Sequence, residues 1–253
     1  MLNVRIIPRL DIKGSNVVKP VHTEALRIMG NPVELAQRYY NEGADEIIYM
    51  DIVASLYGRN LDFDLLRSVA NVIFIPLTVG GGIRSIHDIN NALRAGADKI
   101  AINTYATKNP KFISEAAKVF GSQCIVLSVE AKKIADGKWE NYTDGGREPS
   151  GLDAIEWIKK GIKLGAGEVM ITSIDRDGTR RGYDYELIKK ITDSSPVPVI
   201  IYGGAGKMES FKETYYQCQP DAMAAGSVFH YHNFNIKNLK KYLDKNNIDV
   251  RLQ

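Results

Sequence analysis

The chain has 253 residues, of which 44% are hydrophobic and 25% are charged. That balance is typical of a globular protein with a sizeable core and excludes a disordered chain. The 33 basic and 30 acidic side chains nearly cancel, so the sequence lacks the positive surface that nucleic-acid binding requires. No apolar stretch of about 18 residues and no secretory leader pattern occurs, so we expect a cytoplasmic protein that does not span a membrane.

Short β-branched runs alternate along the chain with segments of helical apolar spacing, a pattern typical of a parallel sheet. Strands are predicted at 5–10, 46–51, 75–79, 99–103, 125–130, 168–173, 197–202 and 222–226. Helices are predicted between them at 32–41, 86–95, 110–120, 153–164 and 185–192. The polar stretch 132–150 is predicted to form a hairpin-like loop.

The two halves of the chain resemble each other. The segment GADEI at 43–47 recurs as GAGEV at 165–169, and VGGG at 79–82 recurs as YGGA at 202–205, at offsets of 122 and 123 residues. Four β/α units therefore occur twice. An open doubly wound sheet would not require this repeat, and no GxGxxG turn follows the first strand. The sequence predicts one domain over residues 1–253, a (β/α)8 TIM barrel with two similar half-barrels.

In such barrels the residues that follow the strands carry the chemistry. Exposed backbone N–H groups of glycine turns beside a hydroxyl form an anion site. A single glycine cluster is equally well explained by a tight turn, but two clusters at matching places favour a ligand with a phosphate at each end. The candidate phosphate-binding residues follow strands three and four and strands seven and eight: Gly82, Asn103, Thr104, Gly203, Gly204, Gly226 and Ser227.

Acidic residues also end the predicted strands. Asp11 ends strand one and Glu130 ends strand five, and a barrel places these strands opposite each other, so the two carboxylates are predicted to be a catalytic acid and base pair. Lys19, Asp177 and Gly178 are further candidate substrate contacts. The two cysteines, Cys124 and Cys218, have no neighbouring Cys or His at metal-binding spacing. We therefore expect free thiols, no metal and no cofactor.

Six segments together resemble the cyclase subunit family of imidazole glycerol phosphate synthase. They are RIIPRLD at 5–11, VGGGI at 79–83, NT at 103–104, TSIDRDGT at 172–179, GGAGK at 203–207 and SVFH at 227–230. The resemblance covers essentially the whole chain. It implies a lyase that takes ammonia from a glutaminase partner in a heterodimer and acts on a bis-phosphorylated ribulosyl aminoimidazole carboxamide ribotide in histidine biosynthesis.

The resemblance also implies an ammonia gate. Arg5, Glu46, Lys99 and Glu168 begin strands one, two, four and six and match the family's charged ring at the bottom of the barrel. Alternating signs are physically reasonable there, because buried charges are costly unless they are paired. A cluster of salt bridges that only stabilises the barrel is the competing interpretation.

The sequence departs from the family in its first loop, 19–27, and at two single positions. Glu130 stands where the family usually has aspartate, and Arg9 stands where it usually has cysteine. These departures resemble paralogues associated with surface-polysaccharide genes, and two hypotheses stay open beside the enzyme of histidine biosynthesis. One is a barrel that delivers ammonia to a different sugar, as in amidino-sugar formation. The other is a non-catalytic barrel that binds phosphosugars.

Overall fold

The computed structural model describes residues 3–19 and 27–252, and within them eight parallel strands close into a barrel. The strands of the described residues are β1 (Arg5–Lys13), β2 (Asn16–Lys19), β3 (Arg27–Gly30), β4 (Ile47–Asp51), β5 (Leu77–Gly80), β6 (Lys99–Ile102), β7 (Ile125–Ala135), β8 (Lys138–Thr143), β9 (Glu148–Asp153), β10 (Glu168–Ser173), β11 (Val199–Tyr202) and β12 (Ala222–Ala225). The barrel follows the order β1-β4-β5-β6-β7-β10-β11-β12 and closes where β12 pairs with β1. The predicted fold class is confirmed.

Helices cover the outside of the barrel. In the described residues they are α1 (Pro32–Asn41), α2 (Phe63–Ala70), α3 (Ile86–Arg94), α4 (Thr104–Lys108), α5 (Lys111–Phe120), α6 (Ala154–Lys163), α7 (Tyr185–Thr192), α8 (Met208–Cys218), α9 (Ser227–His230) and α10 (Ile236–Lys245). Helix α1 begins as its sequence predicts, because Pro32 occupies the first turn and the Asn31 side chain accepts hydrogen bonds from the N–H groups of Val33 and Glu34.

Two strands run past the mouth of the barrel. β1 continues into an antiparallel pairing with β2, and β7 continues into a three-stranded antiparallel ribbon with β8 and β9. The predicted hairpin-like loop over 132–150 is confirmed by this ribbon. Residues 20–26, which make up most of the first loop and include His22, lie outside the described residues.

The two half-barrels share the geometry of their glycine turns. Gly81 and Gly203 both have φ +102°. A Cβ atom on Gly81 would clash with the carbonyl oxygen of Asp51, the last residue of β4, and a Cβ atom on Gly203 would lie 2.7 Å from the carbonyl oxygen of Ser173, the last residue of β10. Only glycine tolerates that conformation and that close approach. The sequence repeat therefore corresponds to one backbone device used on both sides of the mouth.

Candidate active site

Asp11 lies at the mouth of the barrel in a buried, positively charged environment. Its Oδ1 atom accepts a hydrogen bond from Arg9 Nε at 2.7 Å, and its Oδ2 atom accepts one from the Tyr202 hydroxyl at 3.3 Å. Lys19 Nζ is 3.7 Å from the same carboxylate. Burial opposes ionisation, but the charges of Arg9 and Lys19 outweigh it and hold the pKa of Asp11 below its ordinary value. Asp11 is therefore a carboxylate at neutral pH.

Lys19 is fully buried and joins three elements of the mouth. Its ammonium group donates to both carboxylate oxygens of Asp177, at 2.9 and 3.1 Å, and to the Tyr202 hydroxyl at 2.8 Å. Burial lowers the pKa of Lys19, but the neighbouring Tyr202, Asp177 and Asp11 more than compensate, so its pKa is raised. The lysine therefore stays charged and fixes these side chains relative to one another.

Glu130 lies on β7 in a different environment. Its Oε2 atom accepts a hydrogen bond from the Asn103 side-chain amide at 2.9 Å. Burial raises the pKa of Glu130 to about 7, although the charge of Arg9 and the N–H of Gly146 oppose the rise. Asp11 and Glu130 line the same small cavity, of about 30 Å³. One carboxyl group is ionised and the other is half protonated near neutrality, as an acid and base pair requires.

The first candidate phosphate site opens into a larger cavity of about 190 Å³, whose lining includes Gly82, Asn103 and Thr104. The side chains are already engaged: the Asn103 amide donates to Glu130 and to the Tyr142 carbonyl, and the Thr104 hydroxyl accepts from the N–H of Asp144. Asn103 thus orients the carboxyl group of Glu130 as well as bordering the cavity. The position of Asn103 after strand four did not predict its hydrogen bond to Glu130.

The second candidate site is more enclosed. Gly203, Gly204, Gly226 and Ser227 are all buried, and the loop after β10, which contains Gly178, packs against Gly203 and Gly204. The N–H of Gly182 donates to the Gly204 carbonyl at 2.8 Å. The glycine turns therefore match in the two halves, whereas their accessibility differs, and phosphate binding at both places stays a prediction.

The four charges at the bottom of the barrel form a closed ring. Arg5 donates to Glu46 at 2.8 Å and to Glu168 at 2.5 Å, and Lys99 donates to the same two carboxylates at 2.8 Å each. The Thr78 hydroxyl also donates to Glu46. The ring lies across the barrel where its strands begin, at the end opposite Asp11 and Glu130.

The chain matches the protein-family model described as "Histidine biosynthesis protein" over residues 5–235. It is also 57% identical over 211 residues to "Imidazole glycerol phosphate synthase subunit HisF" of Legionella pneumophila, an alignment that covers 83% of this chain and 100% of the relative. The chain belongs to the histidine biosynthesis protein family. The resemblance inferred from the sequence motifs is confirmed.

The sequence analysis did not predict that Tyr202 belongs to the candidate active site. Its ring lies 4.3 Å from the Arg9 guanidinium carbon, and its hydroxyl links Lys19 to Asp11. Tyr202 immediately precedes Gly203, and alternation along β11 points it into the barrel with Ile200. That position at the end of a barrel strand was a signal available from the sequence.

Among the residues that the structure describes, the remaining polar groups near the mouth do not form a metal site. His230 is buried, its Nδ1 atom is 2.6 Å from the Tyr39 hydroxyl, and burial lowers its pKa to about 4. Across residues 3–19 and 27–252 no group of three His, Cys, Asp or Glu side chains is placed to hold a metal ion. In the same residues no helix is long and apolar enough to cross a membrane.

We expect an anion to bind at the open glycine turn of this family site. In crystals soaked in phosphate, electron density should appear at Gly82 and Thr104, because exposed backbone N–H groups beside a hydroxyl attract anions. A second anion is expected at Gly204 and Ser227 once the loop containing Gly178 moves aside. The absence of anion density at both places would contradict a ligand with two phosphates.

Proposed function

We propose that this protein is the cyclase subunit of imidazole glycerol phosphate synthase. It uses ammonia to convert a bis-phosphorylated ribulosyl aminoimidazole carboxamide ribotide into imidazole glycerol phosphate and aminoimidazole carboxamide ribotide, a step of histidine biosynthesis. The relationship to the Legionella subunit supports this assignment. The structural observation that carries it is the difference between the two buried carboxyl groups: Arg9 and Lys19 lower the pKa of Asp11, whereas burial raises the pKa of Glu130.

In this proposal Asp11 is the general base and Glu130 is the general acid. Asp11 is ionised because Arg9 and Lys19 surround it, so it accepts a proton from the substrate. Glu130 keeps its proton up to about pH 7 and donates it either to the leaving group or to the imidazole ring as that ring closes. The two phosphates are held at Gly82 and Thr104 on one side and at Gly204 and Ser227 on the other, which stretches the ribotide across both carboxyl groups.

The ammonia is proposed to come from a glutaminase subunit that docks on the bottom face. Hydrolysis of glutamine by this class of enzyme needs a reactive thiolate, but Cys124 and Cys218 are buried and burial raises the pKa of both. The ring of Arg5, Glu46, Lys99 and Glu168 lies at the proposed docking face and would admit ammonia to the barrel.

Purified protein should form imidazole glycerol phosphate from the ribotide when ammonium salt is supplied. With glutamine instead, turnover should require the glutaminase encoded beside its gene, and the two proteins should elute together in size-exclusion chromatography. Absence of product with ammonium salt would refute the cyclase assignment. Full glutamine-dependent turnover by the lone chain would refute the proposed partner.

The proposed roles also predict a pH dependence. At a constant concentration of free ammonia, turnover should fall about tenfold per pH unit above about pH 7, because Glu130 then loses the proton that it donates. The Glu130→Gln variant should be slower and should lack this alkaline limb. A wild-type profile that instead rises through pH 7 would reverse the two roles.

A further inference from the structure

Arg9 borders the small cavity that lies between the two carboxyl groups. This cavity, of about 30 Å³, is lined by Arg9 together with Asp11 and Glu130. A space of that size holds roughly one or two water-sized groups. It shares Ile52 and Glu130 with the lining of the neighbouring 190 Å³ cavity. A ligand in the larger cavity can therefore place a small group, such as a carbonyl oxygen, in the smaller one.

The guanidinium group of Arg9 is held in place from three directions. Its Nε atom donates to Asp11 at 2.7 Å, its Nη1 atom donates to the Thr172 hydroxyl at 3.2 Å, and its carbon lies 4.3 Å from the centre of the Tyr202 ring. Burial lowers the pKa of Arg9, but Asp11 and Tyr202 more than compensate, so its pKa is raised and the group stays charged. Its third nitrogen, Nη2, donates to none of the residues that the structure describes. A fixed cationic donor at the cavity is therefore free to take a ligand.

The ketone of a ribulosyl group gains a negative charge on its oxygen when ammonia adds to it. The nitrogen lone pair forms a bond to the carbonyl carbon, and the π pair of the carbonyl bond moves to the oxygen. Asp11 then takes a proton from the new ammonium nitrogen, and Glu130 gives its own proton to the oxygen, which leaves an uncharged carbinolamine. The oxyanion exists between bond formation and the second proton transfer. In a site shielded from water, a donor already fixed at that oxygen stabilises it strongly.

We infer that Arg9 is a catalytic residue, which donates from Nη2 to the ketone oxygen of the substrate and stabilises the oxyanion formed when ammonia adds. The inference rests on the proposed function, which supplies the ketone and the ammonia. The cysteine that is usual at this position in the family offers only a weak S–H donor and no positive charge. Arginine presents five N–H donors in a fixed planar fork, so one side chain serves both Asp11 and the substrate.

Arg147 lines the same cavity but is less suited to this role. Its side chain is half-buried, and its Nη1 atom donates to the Asp144 carbonyl at 3.1 Å. It lies at the turn between β8 and β9, whereas Arg9 lies within the barrel strand β1. Groups on barrel strands are positioned more precisely than groups on loops. The geometry therefore favours Arg9 as the donor to the oxyanion.

The Arg9→Lys variant separates this role from the support of Asp11. Lysine keeps a positive charge beside Asp11 and Glu130, so both carboxyl groups should keep their protonation at pH 7. An ammonium group lacks the planar fork that reaches two acceptors in different directions. In ammonium-driven turnover of the ribotide, kcat should therefore fall about 10²- to 10³-fold, the usual effect of removing one oxyanion donor. KM should change little, and the alkaline limb of the pH profile should stay in place.

Arg59→Lys is the matched control, because it makes the same exchange at a carboxylate outside the proposed mechanism. Arg59 pairs at 2.8 Å with Asp51, the last residue of β4. Its variant should keep kcat within about twofold of wild type, as for most surface substitutions, and urea denaturation would show that both variants fold. For Arg9→Lys, a loss of less than about tenfold would overturn the inference. So would a loss that comes with a shifted alkaline limb, because Arg9 would then act only through the carboxyl groups.

A second measurement needs neither a variant nor turnover. Ribulose 5-phosphate carries the ketone and one phosphate of the ribulosyl end of the proposed substrate. In wild-type crystals soaked with it, the ketone oxygen should lie within hydrogen-bonding distance of Arg9 Nη2. No bound ligand at the mouth, or a ligand whose ketone points away from Arg9, would overturn the inference. If the wild-type protein converts no ribotide with ammonium salt, the proposed function fails, and the position of the ketone still decides whether Arg9 binds it.

Discussion

The Asp11→Asn variant should lose about 10²- to 10⁴-fold in ammonium-driven turnover, the usual contribution of a general acid or base. Asparagine nearly matches the shape of aspartate but cannot accept the proton. The asparagine oxygen can still accept the hydrogen bond from Arg9, and the anchoring of Lys19 by Asp177 and Tyr202 does not depend on Asp11, so the mouth should keep its shape although the variant loses the ion pair with Arg9 and some stability with it. We therefore expect KM for the ribotide to change little while kcat falls.

Asp175→Asn is the matched control, because Asp175 lies in a loop at the same mouth but is exposed. Among the described residues, its side chain accepts a hydrogen bond only from the backbone N–H of Lys133. Its turnover should stay within about twofold of wild type, as for most surface substitutions. An Asp11→Asn enzyme with unaltered kcat would remove Asp11 from the mechanism, whatever the substrate.

Much of the fold could be predicted because its signals are local and repeated. Helix α1 has its proline and its capping asparagine in the sequence itself, and its predicted bounds agree with those observed. The ends of β1 and β7 were predicted too early, at residues 10 and 130. Both strands continue beyond the barrel because new antiparallel partners, β2 and β8, pair with them past the mouth. Such pairing depends on the tertiary fold and leaves no periodic signal.

The chemistry of the site could be predicted only in part. The strand ends led to the prediction that Asp11 and Glu130 are the acid and base pair, but the sequence did not indicate which of them is ionised, since that depends on the charges that surround each group. Arg9 was visible in the sequence as a departure from the family pattern. Its role became apparent only when the structure placed it against Asp11 of its own strand and Thr172 and Tyr202 of two distant strands.

Arg9 should also be a large contributor to stability. Removing one partner of a buried ion pair typically costs about 3–5 kcal/mol, because the other charge stays buried without compensation. In Arg9→Met, Lys19 remains 3.7 Å from Asp11 and offsets part of the loss, so we expect a decrease of about 3 kcal/mol in the free energy of unfolding at pH 7. For a protein of this size that corresponds to a fall of about 10 °C in Tm.

The matched control is Arg59→Met, which removes the pairing of Arg59 with Asp51 at 2.8 Å. The Arg59 side chain is 36% exposed, and Asp51 keeps hydrogen bonds from the N–H groups of Val53 and Ala54. Solvent screening limits the value of such a pair, so its loss should cost about 1 kcal/mol or less. Urea denaturation of both variants would measure the difference.

The effect of Arg9→Met should depend on pH in a defined direction. Arg9 holds the pKa of Asp11 below its ordinary value, so the stability that the pair contributes is present above the unfolded pKa of about 4 and is lost as the pH falls through the lower folded value. The gap between wild type and Arg9→Met should therefore be full at pH 7 and shrink in acid below about pH 4. A gap that stays constant down to pH 2 would show that lost packing against Tyr202, and not the unpaired charge of Asp11, sets the cost.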